Sequence, residues 1–129
     1  MATKTIFMLD IARKNYTAAE IKEIILFIAR TGYTAIQLHF SDNQKYGIAS
    51  TILGQTTTSP SGYTFLTAAQ VTDIVNYAKS FNIEVIPELG SPAHMGGIFA
   101  LYKAKNGQNT DIMNSSNELM YTTDSAIKF

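Results

Sequence analysis

Cysteine is absent from the 129-residue chain, which excludes a disulfide framework and a thiolate metal site but leaves the compartment open, since exported domains can lack cysteine too. No charge of one sign prevails. Ten basic residues balance ten acidic ones, and neither sign gathers into a run, so the electrostatic footprint of a nucleic-acid or membrane-surface binder is missing. The longest purely apolar run, Ile24 to Ala29, falls far short of the ~20 residues that span a bilayer. No charged-then-apolar export signal opens the chain. Tight ligand spacing such as His-Glu-x-x-His is also absent, so neither a metal nor a cofactor is expected.

What is present is alternation. Strand-like Thr5 to Leu9, Ala35 to Phe40 and Ile83 to Leu89 are separated by two helix-like segments, the pattern of parallel βα units. Thr17-Ala-Ala-Glu20 and Thr67-Ala-Ala-Gln70 are capping boxes that open these helices. Behind the first box, Ile21, Ile24, Ile25 and Ile28 recur at helical spacing; behind the second, Val71, Ile74, Val75 and Ala78 do the same. The first helix is expected to stop near Gly32. The two boxes lie 50 positions apart, which reads as a repeated βα architecture. The third strand is apolar and β-branched enough to be covered on both faces. Gly97 to Lys103 reads as a short helix, Thr123 to Phe129 as the start of another, and the Ser/Thr/Gly/Pro-rich stretch from Thr51 to Gly62 as loop.

Polar residues gather where these strands end. Asp10 and Arg13 follow the first, His39 and Asp42 close the second, and Glu88 and His94 close the third. Ligands of parallel α/β folds bind beyond the carboxyl ends of the strands. Arg13 offers a planar fork of donors, Asp42 an acceptor and His94 a proton relay. Plainer readings stand beside these. Isolated aspartates such as Asp10 and Asp42 commonly cap turns, His39 inside an apolar strand suits a hydrogen-bonded core histidine, and Glu88 suits a brace or a partner for a buried base. Tyr33, Tyr46 and Tyr63 are weak candidates for stacking on sugar rings.

Three ordered motifs carry a resemblance. Leu9 to Thr17 ("LDIARKNYT"), Leu38 to Ser50 ("LHFSDNQKYGIAS") and Ile86 to Phe99 ("IPELGSPAHMGGIF") together resemble the first three βα units of the family-20 glycoside hydrolases, the β-N-acetylhexosaminidases. The dispersin-type members, which cleave poly-β-1,6-N-acetylglucosamine of biofilms, are the most alike. The resemblance implies an α/β fold, a partial (β/α)8 TIM barrel in which residues 1–129 form the amino-terminal part of a catalytic domain. It also implies a glycan partner containing N-acetylhexosamine and substrate-assisted retention, in which the sugar's own 2-acetamido oxygen attacks the anomeric carbon. Arg13 then maps onto the arginine that grips the cleaved sugar's hydroxyls. Asp42 and His94 map onto a hydrogen-bonded pair that supports the acid.

The pattern is departed from in places. Gly90 stands where the family usually has aspartate, Ala93 stands inside the usual Pro-Gly-His or Pro-Asn-His, and Lys14 replaces a common histidine. The family's adjacent Asp-Glu pair belongs to the fourth strand, and no Asp-Glu dipeptide occurs in this chain. A complete barrel takes ~250 residues. The chain is therefore expected to be inactive alone and to need the rest of a barrel, self-association or a rearranged half-barrel to cover its open edges. Two other classes remain open: a non-catalytic carbohydrate-binding fragment, and a freestanding flavodoxin-like α/β domain. Against the latter, no glycine-rich phosphate loop follows the first strand.

Overall fold

The computed structural model describes residues 3–107 and 112–120; the helix start expected at Thr123 to Phe129 lies outside them. Three strands, β1 (Ile6–Asp10), β2 (Ala35–Ser41) and β3 (Glu84–Leu89), alternate with helices α1 (Ala18–Arg30), α2 (Ala68–Ser80) and α3 (Gly96–Asn106). All strand pairs are parallel and the sheet order is β1-β2-β3. A flavodoxin-like sheet would instead place its first strand between the second and third. Sequential order with both crossover helices on one face is the course of a (β/α)8 barrel. The chain forms three such βα units.

The two βα units close alike, which accounts for the 50-residue repeat. Thr17 Oγ1 accepts from the Glu20 amide at 3.2 Å, and Glu20 Oε2 accepts from the Thr17 amide at 2.7 Å. At the second box Thr67 and Gln70 exchange the same bonds at 3.3 and 2.9 Å. The helix ends match as well. Gly32, at φ +88°, lets the Tyr33 amide reach back to the Ile28 carbonyl at 3.2 Å. Asn82, at φ +55°, does so for Ile83 and Ala78 at 3.0 Å. Both are left-handed closures that satisfy orphan carbonyls of the last turn.

Alternation along the strands divides the sheet into unlike faces. Leu9, Ile36, Leu38 and Phe40 meet Ile21, Ile25 and Ile28 of α1 and Ile74 and Ala78 of α2 in one buried core. The opposite face carries Ile6, Met8, Gln37, His39, Ile86 and Glu88, of which Ile6 and Met8 are exposed. In a (β/α)8 barrel the face opposite the helices is the inner one. β3 departs from the expectation of cover on both faces: none of its residues is fully buried, and Leu89 is exposed. It pairs only with β2 among the described residues, so it is an edge strand of this sheet.

The long loop after β2 is folded around a side chain that periodicity does not reveal. Gln55 is fully buried; its amide donates to the carbonyls of Tyr46 at 2.9 Å and Ile48 at 2.8 Å, and its oxygen accepts from Ser59 at 2.6 Å. A buried amide so satisfied pins the loop. The first turn of α3 rests on this loop. Gly97 donates to the Asp42 carbonyl at 2.9 Å, and a Cβ at Gly97 would collide with the Lys45 backbone.

Two substitutions test this account by chemical denaturation. Thr17→Ala, which removes one half of a capping box, is expected to cost about 1 kcal/mol. Gly97→Ala forces the α3 loop off its seat and is expected to cost ~1–3 kcal/mol. A neutral Gly97→Ala would contradict the close packing described.

Candidate active site

Parallel register sets the site's first row. Asp10 of β1 lies opposite His39 of β2, and His39 opposite Glu88 of β3, so three polar side chains cross the inner face at the carboxyl ends. Immediately beyond, β2 carries one extra residue: His39 pairs with Glu88 but Ser41 pairs with Leu89. Such a bulge turns the strand and re-aims the side chains beyond it. Its Ser41 is buried and accepts from the Gly90 amide at 3.1 Å, tying the loop after β3 to the end of β2. Asp42 comes next, with its side chain 3% exposed.

Asp42 is where the groups converge. Its Oδ2 takes Arg13 Nη2 at 2.6 Å and His39 Nε2 at 2.9 Å, while its Oδ1 accepts from the Asn43 amide at 2.7 Å. The other ring nitrogen of His39 meets Glu88 Oε1 at 3.0 Å, and the second oxygen of Glu88 accepts from Gln37 at 2.7 Å. Arg13 is held from its other side by Asp10, Nη1 to Oδ2 at 2.6 Å. Asp10 also accepts the amides of Ala12 at 3.0 Å and Arg13 at 2.9 Å, an Asx turn that fixes the start of the loop. Asp10 is thus both the turn residue that isolated aspartates usually are and a clamp on the guanidinium.

The charge states rest on these contacts. Burial acts to raise the Asp42 carboxyl, but the hydrogen bonds from His39 and Asn43 and the charges of Arg13 and His94 outweigh it and hold the group below the ordinary carboxylate range. Burial likewise opposes a charge on His39, yet its bonds to Asp42 and Glu88 raise it above an ordinary imidazole. Geometry agrees, because two ring nitrogens facing two acceptor-only carboxylates are both satisfied only in the imidazolium. Glu88 is lowered, first by the Gln37 amide and, against burial, by His39.

His94 reaches the same carboxylate less closely. Its Nδ1 stands 3.5 Å from Asp42 Oδ1 and 3.4 Å from Asn43 Nδ2, with the ring 59% exposed. Its backbone is left-handed at φ +58°, a conformation that costs free energy in a residue other than glycine and tends to persist where the surroundings impose it. The imidazole nearest Asp42 is therefore His39, which its apolar neighbours suggest is a core histidine but which alternation places on the inner face, between Asp10 and Glu88.

The tyrosines divide. Tyr33 packs edge-on against Phe7 at 5.6 Å and Tyr46 is buried, so neither faces this rim, whereas Tyr63 lines a cleft beside Arg13. Lys14, in place of the usual histidine, lies 4.9 Å over the Tyr16 ring. A side chain at Gly90 would meet only ordinary contacts, 3.4 Å or more away. No group of three or more potential metal ligands converges among the described residues.

Residues 6–128 match the family model "Glycosyl hydrolase family 20, catalytic domain". The chain is 34% identical over 105 residues to a beta-hexosaminidase of Porphyromonas gingivalis, covering 74% of this chain and 14% of that protein. Among solved structures it superposes on Dispersin B with a TM-score of 0.87 at 37% identity, covering 98% of this chain and 42% of that one. On a Streptomyces plicatus beta-hexosaminidase solved with the product GlcNAc, the TM-score is 0.71 at 26% identity, covering 97% and 28%. The chain thus spans less than half of these relatives. With sheet order, strand-end chemistry and these likenesses in agreement, the chain belongs to glycosyl hydrolase family 20.

Proposed function

We propose that this chain is the amino-terminal, sugar-gripping portion of a β-N-acetylhexosaminidase barrel that cleaves N-acetylglucosamine-containing glycans, poly-β-1,6-N-acetylglucosamine among them, by substrate-assisted retention. The convergence of Arg13, His39 and His94 on the single buried carboxylate of Asp42 carries this reading. A guanidinium has five N–H donors. The two ion pairs fix its plane and leave donors to bind vicinal hydroxyls of a sugar. Asp42 supports the acid from beneath, and His94, exposed at the rim, shares its proton network. Holding these groups rigid before substrate arrives is what lets binding orient the acetamido group for attack.

In this reading the chain has no catalytic acid, because it lacks an Asp-Glu pair. It binds sugar without cleaving it. Isothermal titration with N-acetylglucosamine is expected to give weak binding that Arg13→Ala lowers about tenfold or more, as loss of charge-assisted hydrogen bonds would. A chromogenic N-acetylglucosaminide is expected to remain intact. Binding indifferent to Arg13→Ala, or turnover by this chain at an enzymatic rate, would overturn the respective parts.

The network's charge also sets a pH window. The lowered Asp42 contributes stability present above its unfolded value, about 3.9, and lost as pH falls through the lower folded value. The raised His39 contributes stability present below its unfolded value, about 6.5, and lost as pH rises through the higher folded value. Thermal melts are therefore expected to peak between about pH 4 and 6.5, with the Asp42→Asn variant losing much of this profile. A melting temperature climbing steadily from about pH 5 to pH 9 would contradict the assignment.

A further inference from the structure

Beside Arg13 lies a cleft of about 310 Å³ that the network does not use. Arg13, Asn15, Gln44, Lys45, Tyr63 and Thr64 line it. It shares Arg13 with the site already described and none of Asp42, His39, Glu88 or His94. Its size is at the lower end of ligand pockets and suits one monosaccharide ring. The lining is donor-rich and, unusually for the neighbourhood of three carboxylates, contains no acid.

The most informative member is Lys45, 8% exposed. Its ammonium donates to Asn15 Oδ1 at 2.6 Å and to the Thr64 carbonyl at 3.3 Å, and burial lowers its pKa. An ammonium has three donors, so two bonds leave one for a further acceptor. A cation buried this far without a salt-bridged carboxylate is costly, and the loop after β1 and the segment before α2 meet around it. Tyr63 adds an aromatic edge with a hydroxyl, the mixed character that sugar rings bind well.

We infer that this cleft is a second sugar subsite, taking the residue joined to the hydroxyl side of the sugar that Arg13 grips. It favours a neutral N-acetylated sugar over a de-N-acetylated, cationic one, because the Lys45 ammonium, which no carboxylate pairs, lines it with no acid beside it, whereas the charge of Arg13 is already met by Asp10 and Asp42. The inference rests on the proposed role of Arg13. It adds that the site accepts a sugar inside a chain as well as one at its end.

The test is titration of the ¹⁵N-labelled chain with N-acetylglucosamine and with its β-1,6- and β-1,4-linked disaccharides, each also with a glucosamine at the non-reducing end. At least one fully acetylated disaccharide is expected to bind about tenfold tighter than the monosaccharide, shifting the Gly62 and Thr64 amides, and the glucosamine version to lose most of that gain. Tyr63→Ala, a partly exposed position, is expected to bring the disaccharide-to-monosaccharide ratio near one. Lys45→Met should do so too where circular dichroism shows it folded, and Tyr63→Ala decides where it is not. If the monosaccharide shifts amides around Arg13 but no disaccharide gains, or the gain survives Tyr63→Ala, the subsite is wrong and the Arg13 reading stands. If no sugar perturbs the Arg13 loop, the reading beneath it fails as well.

Discussion

A single carboxylate, that of Asp42, constrains the carboxyl rim of this sheet. Buried to 3% side-chain exposure, it stays ionised only because a guanidinium, an imidazole and a backbone amide compensate for its lost hydration. The dependence is mutual. Arg13 is planar and fixed because Asp42 and Asp10 hold its two ends, and His39 is charged because Asp42 and Glu88 face its two nitrogens. Removing the hub leaves two cations without their shared partner, which is more disruptive than losing one surface ion pair.

The backbone delivers Asp42 there through three devices that act in series. Parallel register lines up Asp10, His39 and Glu88; the bulge around Phe40 re-aims the end of β2; and Gly97 lets α3 settle against the loop after β2. The last device also brings His94 within reach of the hub. Fold and chemistry are coupled here, since the same close approach that packs α3 completes the polar network.

Much of this is legible in the residues, and the rest is hidden for physical reasons. Local rules locate the helices, because a capping box acts within three residues and the apolar stripe behind it has one period. Strand ends shift by a residue, as with Ser41, because a bulge depends on the partner strand. Arg13, Asp42 and His94 are recognisable from their motifs, whereas His39 and Glu88 are legible only as strand-end polar residues, because their pairing with each other comes from register between strands far apart in the chain. Gln55 and Lys45 are invisible for a similar reason: a buried polar residue in a loop has no periodicity, and its meaning lies in the carbonyls that surround it. The expected two-sided cover of β3 fails because strand composition reports a preference for burial, not the presence of neighbours.

The inner face of the sheet leaves Ile6 and Met8 exposed. Whatever covers it, the polar rim is already assembled within these three βα units. The most direct check is a proton–nitrogen NMR titration of the His39 ring. The account predicts a midpoint above about 6.5, with both nitrogens protonated below it, and a fall towards that value in Asp42→Asn. A His39 ring that titrates at or below the ordinary value, or is indifferent to Asp42→Asn, would contradict it.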